Sequence, residues 1–360
     1  MSYICLYDSA FTALGKWTQH IAKNWQLKRQ ALDADEFTAT CQGWQQSKDA
    51  CFVGLHSETG ALEYVAFCGL PTTKNGLTTV SGTDTRLIFD QKVKVAYDKQ
   101  VQGGGFAITS ISTLFQYLLQ TVFEDLGISL GVTYDIDVSD TTLVETWNDG
   151  EAVDRSTDYR NVYEELQRFC NVYDCVLMTT WSVNILTNKY KLTFRVQRIY
   201  QTVNVKLSDY DVFMKLTQNI VNRAIATNGI TSVTYYLYND NTVSSTYAAS
   251  KVLFPPKITT IYKEISDDTT AEEALAEAEA EAIKTLNANR YKDKVTINLK
   301  SKLGSTLQNV DFTYFADVSE YNPADASSVK RLPVYSIQTD SSGAKKIVLG
   351  RLSDYWFMDE

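Results

Sequence analysis

The chain has 360 residues, 44% apolar and 21% charged, with 34 Lys and Arg against 43 Asp and Glu. It is too apolar for wholesale disorder, and at roughly 150 residues per domain it is long enough for several cores. The net charge of -9 argues against a dedicated binder of nucleic-acid backbone, which needs a basic surface.

The first residues, MSYICLYDSAFTALGKW, lack a basic stretch followed by an apolar run, so no secretory signal is expected. His20 follows Trp17 in a stretch expected to form a short helix. From 37 to about 97 the pattern is β. Strands are predicted at 37–41, 51–55, 63–68, 77–81 and 91–97, with turns at 57–60 and 72–76 and a short helical turn within 82–89. An antiparallel meander is expected there.

Gly103-Gly104-Gly105 reads as a break. Residues 106–123 then run for 18 positions without a charge. Thr109, Thr113, Gln116, Gln120 and Glu124 fall on one face, so the segment predicts an amphipathic helix ended by Gly127. A membrane span needs about 20 apolar residues, so no stable membrane insertion is expected. A second helix is predicted at 158–171, capped by Ser156 or Thr157, with Val162, Leu166, Phe169 and Cys170 on one face. A hairpin should follow, with arms at 175–182 and 190–197.

β structure returns near Val203, with strands predicted at 219–226, 232–238 and 252–254, the last ended by Pro255-Pro256. The strongest helix signal covers 270–289. Thr269 with Glu272, or Thr270 with Glu273, forms its capping box, and Leu275, Ala278, Ala282 and Leu286 its apolar stripe. Further strands are predicted at 295–299, 310–314, 334–337 and 347–349. The expected class is α+β, β-rich and multidomain. The expected domains are a first β domain at 1–100, an inserted α+β domain at 101–205, and a second β domain at 206–360 carrying the helix at about 270–289.

No catalytic, cofactor-binding or metal-ligating residue is selected. With only His20 and His56 the chain has too few His for a multi-His metal site. Neither lies in a nucleophile context, and no G-x-S-x-G elbow is present. Both are expected to be surface or packing residues. Cys5, Cys41, Cys51, Cys68, Cys170 and Cys175 are expected to be mostly buried free thiols, since Cys170-x4-Cys175 lacks the close pairs of a zinc ribbon. Asp135-Ile-Asp137-Val-Ser139-Asp140 begins like a calcium loop. The loop requires Gly at position six and Glu at twelve, where Asp140 and Thr146 stand, so a strand with Asp on its polar face is expected. The triple Gly lacks the Lys-Ser/Thr of a phosphate loop, and Ile108 stands where a dinucleotide loop has its third Gly. The 43 acids offer many pairs for glycosidase chemistry, but nothing selects one. Glu272, Glu273, Glu277, Glu279 and Glu281 read as a solvated helix face.

Asn75-Gly-Leu-Thr-Thr-Val-Ser-Gly-Thr-Asp84, continued by Thr85-Arg-Leu-Ile-Phe-Asp90 and Val93-Lys-Val-Ala-Tyr97, resembles the tail-hub proteins of tailed bacteriophages. So does the later order of a Tyr-rich strand (Val233-Thr-Tyr-Tyr-Leu-Tyr238), an Ala/Glu-rich helix, Val295-Thr-Ile-Asn-Leu299 and a closing pair ending in Ile347-Val-Leu-Gly350. The resemblance implies a structural tail-tip or baseplate hub, also called the tail-associated protein, with two β-barrel hub domains around the insertion. Its implied partners are two further copies in a homotrimer, the distal tail protein ring, the tape measure protein and receptor-binding proteins. DNA would pass through the lumen without specific binding, in a virion tail tip made in the host cytoplasm. Because the chain stops just after the hub-like strands, a short hub without an enzyme is expected, and no cofactor. The competing expectations are a carbohydrate-binding module of a receptor-binding apparatus, using the 6 Trp as stacking platforms, and a cell-wall hydrolase.

Overall fold

A computed structural model of the chain describes residues 2–14, 20–44, 47–95, 108–128, 130, 133–144, 159–184, 189–215, 220–266, 269–299, 305–320 and 329–350. The first β region contains β1 (Tyr3–Tyr7), β2 (His20–Gln30), β3 (Glu36–Gln42), β4 (Phe52–His56), β5 (Leu62–Cys68), β6 (Thr72–Lys74) and β7 (Leu77–Asp84). His20 thus begins a strand instead of lying on a helix. The hydrogen-bonded order is β1-β4-β5-β7-β3-β2, and β2 pairs back onto β1. The expected meander is therefore a closed cycle of pairings, with β7 joining β5 to β3. Alternation along these strands buries Ile4, Leu6, Phe37, Ala39, Val53, Leu55 and Val80 together. A twisted sheet with one apolar face covers it by curling around it. Gly82 permits the crossing of β7. A Cβ there would lie 2.4 Å from the Ala66 Cβ and 3.0 Å from the Phe37 ring.

A 3-10 turn at Thr85–Phe89 leads to β8 (Lys92–Lys94), α1 (Ile111–Leu126), β9 (Tyr134–Asp137), β10 (Tyr159–Asn161), α2 (Val162–Val172), β11 (Cys175–Asn184) and β12 (Lys189–Arg198). Ser110 and Thr113 form a capping box for α1, and Gly127, at φ 64°, ends it. The predicted start of this helix at 106–107 and the Gly run lie outside the described residues. α2 begins later than predicted because 159–161 pairs with β8. Asn161 then accepts the amides of Tyr163 and Glu164 as the cap. Ser156 and Thr157 lie outside the described residues. Leu114, Phe115, Leu118, Phe169, Leu192 and Phe194 share one core with Tyr7, Phe11 and Phe52 of the first region.

The second half opens with β13 (Gln201–Lys206) and β14 (Asp211–Lys215). A separate sheet follows, ordered β17-β16-β15-β18. Its strands are β15 (Arg223–Thr227), β16 (Ser232–Leu237), β17 (Val243–Ser244) and β18 (Ile258–Tyr262), and α3 (Ala271–Ala288) covers one face. The predicted strand at 252–254 is only a single bridge from Val252 to Tyr238. Thr270 and Glu273 make the capping box of α3. Its buried stripe is Ala274, Ala278, Ala282 and Leu286, with Ala274 in place of the expected Leu275. The strand beneath offers Ala224 and Ala226. Small residues on both sides let the helix sit close, and the larger Leu275 is left half-buried beside the contact.

Strands β19 (Lys294–Leu299), β20 (Tyr314–Ser319), β21 (Val329–Asp340) and β22 (Lys345–Leu349) are the last among the described residues. The segment predicted as a strand at 310–314 is mostly a turn, in which the Asp311 carboxylate accepts the Thr313 amide, and only Tyr314 enters β20. The order continues β2-β21-β22-β19-β14, while β20 links β21 to β13. β21 therefore joins both β regions into one sheet, pairing Gln26–Gln30 with residues 336–340. The fold is β-rich α+β.

The Ala-on-Ala contact under α3 leaves no room for a larger side chain. Ala278→Leu is expected to lower stability by about 1–3 kcal/mol, while Glu277→Ala on the exposed face changes it by about 0.5 kcal/mol or less. Urea unfolding of both variants checks this.

Candidate functional site

The densest polar cluster lies where β7 ends. Arg86 is buried, and each of its N–H groups meets an acceptor. Nε donates to Asp84 at 2.9 Å. Nη1 donates to the carbonyls of Ala31 and Leu177 at 3.2 and 3.1 Å. Nη2 donates to the Asp33 carbonyl and to Asp35 Oδ1, both at 2.8 Å. A guanidinium has five such donors, so none is left over. Asp84 also accepts the Arg86 amide at 2.8 Å and the Asp35 amide at 2.7 Å. Burial pushes the Asp35 carboxyl up to about 6 against the pull of Arg86, and the charge of Asp84 adds to the rise. With every donor engaged and the side chains enclosed, the cluster cannot reach a substrate. It ties the β2–β3 turn to β7 and to β11.

The residues singled out in the sequence are scattered. His56 is buried. Its Nδ1 lies 3.0 Å from the Gly60 carbonyl and its Nε2 2.6 Å from the Tyr7 hydroxyl, and its ring stacks on Tyr3 at 4.7 Å. These bonds suit the neutral ring with its proton on Nδ1, and burial lowers its pKa. It is a packing residue. None of the six Cys is in a disulfide, and Cys5, Cys41, Cys170 and Cys175 are buried. Asp135 and Asp137 lie on β9 as expected, and Asp137 pairs with Arg195 at 2.7 Å. Asp140 caps the following turn through Thr142. Among the described residues no group of His, Cys, Asp and Glu forms a metal site. The acidic face of α3 is exposed at Glu272, Glu273, Glu277 and Glu281, while Glu279 accepts the Tyr235 hydroxyl at 2.8 Å.

Aromatic and aliphatic side chains outside the cores are dispersed. Phe213 on β14, the last strand of the large sheet, is 64% exposed. On the small sheet, the face away from α3 shows Ile258 and Tyr262, the latter 58% exposed. There Arg223 sits over the Tyr236 ring at 5.7 Å, and Tyr247 packs edge-on to that ring at 5.5 Å. Trp25, Trp44 and Trp181 pack partly buried against cores. Trp17, Trp147 and Trp356 lie outside the described residues.

No family model matches the sequence, and no curated protein matches it. Solved structures do match the fold. A topological model of the phage P2 virion baseplate in its activated conformation aligns at TM-score 0.52 and 10% identity, covering 98% of this chain and 100% of the other. The P2 baseplate structure in its activated conformation with Ca aligns at 0.50 and 8% identity, with the same coverage. Prophage tail protein gp18 from Listeria monocytogenes EGD-e aligns at 0.51 and 11% identity, covering 97% and 94%. The chain has a phage baseplate and tail protein fold.

Gly82 clears the β5–β7–β3 crossing, and Asp84 fixes Arg86. Arg86→Ala would leave two buried carboxylates uncompensated and is expected to cost about 3–5 kcal/mol, read by denaturant unfolding. Asp35 gives a second expectation. Its folded pKa lies above that of the unfolded carboxyl, so the folded chain binds the extra proton in between, and stability falls as the pH rises through that window. Wild type should therefore gain stability relative to Asp35→Asn when the pH drops from about 7 to 5, by at most about 1.4 kcal/mol per pH unit. Paired urea curves at the two pH values measure this.

Proposed function

We propose that the chain is a structural tail-tip or baseplate hub subunit of a tailed bacteriophage. Three copies form a ring that closes or continues the tail tube and attaches to the distal tail protein. The ring serves host attachment and genome delivery and resides in the virion. One observation carries the proposal. The likeness to the baseplate and tail structures runs through nearly the whole of this chain and nearly the whole of theirs.

In this proposal the first hub domain covers 1–100, and its cycle of strand pairings is the first barrel. The insertion covers 101–205. The second hub domain covers 206–360, with β14, β19, β22, β21 and β20 as barrel strands. The exposed Phe213, Ile258 and Tyr262 suit contacts between protein chains, where aromatic residues gather. The net charge of -9 per chain suits a conduit that does not grip phosphate, because like charges repel. The tape measure protein and receptor-binding proteins are the further partners of the assembled tip. Work of this kind requires no enzyme, cofactor or metal.

Electron microscopy of the chain bound to its distal tail partner tests the proposal. The expected result is a threefold ring with a lumen that is neutral or acidic. A two-fold or monomeric stoichiometry, or a lumen lined mainly by Lys and Arg, would sink it. Incubation with peptidoglycan and wall polysaccharide should release no fragments. Turnover abolished by a point mutation would reject the non-enzymatic role.

A further inference from the structure

A groove of about 410 Å³ opens between the β9 end and the β12–β13 link, walled by Asp137, Asp140, Thr142, Arg195, Gln197 and Tyr200. From this groove we infer a binding subsite for a neutral sugar. Its volume lies at the small end of the range for ligand pockets, about 300–1,000 Å³, which suits one or two sugar rings.

The walls are fixed in advance. Arg195 and Asp137 are register partners of the parallel β12–β9 pair. Asp137 Oδ2 accepts Arg195 Nε at 2.7 Å, and its Oδ1 accepts the Ser139 amide at 3.0 Å. Asp140 Oδ1 accepts the Thr142 amide at 2.9 Å, and its Oδ2 accepts the Arg198 amide at 2.8 Å. Leu143 anchors this turn in the core beneath. A pre-ordered wall loses little entropy when a ligand arrives.

Other polar groups remain uncommitted. Among the described residues, the two terminal nitrogens of Arg195, the Gln197 amide and the Tyr200 hydroxyl have no hydrogen-bond partner. The Tyr200 ring is 59% exposed. The groove thus offers planar donors, an amide that both donates and accepts, and one aromatic face.

Charge selects the ligand class. Arg195 is matched by Asp137, and the charge of Arg198 acts on Asp140, so the groove has no excess charge of either sign to favour an ion. A calcium ion wants six to eight oxygens, and here the carboxylate oxygens already accept from Arg195, Ser139, Thr142 and Arg198. An uncharged ligand that carries adjacent hydroxyls and an apolar C–H face fits what is left. That description is a neutral pyranose. The inference stands on the groove alone and does not depend on the hub.

Saturation-transfer NMR on the full chain tests it. The probes are glucose, galactose, rhamnose and N-acetylglucosamine, as single sugars and disaccharides, with inorganic phosphate and Ca²⁺ as counter-probes. At least one neutral sugar is expected to bind with a Kd of about 1–10 mM. Tyr200→Ala and Gln197→Ala are each expected to weaken it at least about fivefold, with the melting temperature unchanged. Absence of transfer to every sugar up to about 20 mM overturns the inference. So does sugar binding that both variants retain, and so does competition of phosphate or Ca²⁺ for the same groove.

Discussion

The burial of one guanidinium sets the arrangement of the surrounding elements. Arg86 can be enclosed only if all of its donors are met and its charge is countered, and the acceptors come from different parts of the chain. Two carbonyls and a carboxylate belong to the β2–β3 turn, one carboxylate to the end of β7, and one carbonyl to β11. The same turn receives more. The Leu32 carbonyl accepts Tyr163 at 3.0 Å and Gln167 at 2.8 Å, both from α2. Asp33 accepts the Tyr335 hydroxyl, and the Ala31 amide donates to the Tyr335 carbonyl at 2.8 Å. Five residues of turn thus lock the first β region, α2 and β21 to one another. Each contact is directional, so a rotation of any one unit would leave buried donors unmet.

That lock and the β2–β21 pairing have a shared mechanical result. The first and second β regions are one hydrogen-bonded sheet, and α1, α2, β11 and β12 share a core with the first of them. The ring proposed above would gain from such continuity, because domains joined only by linkers move by default. The surfaces left outside the cores follow from the same geometry. Alternation along β14 turns Val212 and Met214 to the core and Phe213 outward, and on β18 Ile258 and Tyr262 share the face away from α3. A proposed assembly role and a proposed sugar groove occupy different parts of the molecule, and neither needs the buried charge cluster to do chemistry.

Local signals in the sequence determined a good deal. The polar stripe of α1 and its closing Gly127, the Thr270–Glu273 box, the β11–β12 hairpin and the Asp-bearing strand β9 were all legible, because periodicity and capping act within a few residues. Tertiary structure decided the rest. The cyclic pairing of β1 to β7 and the parallel β12–β9 and β13–β20 contacts join residues far apart in the chain, and strand periodicity carries no information about partners. The start of α2 shifted because 159–161 found a partner in β8, and the α3 stripe moved to Ala274 because the sheet below carries Ala. The role of Arg86 was invisible for the same reason. Gly82-x-Asp84 and Arg86 could be read as letters, but the carbonyls that make the buried charge tolerable come from positions as distant as Leu177. Whether a charge can be buried depends on acceptors that only the completed fold brings within hydrogen-bond distance.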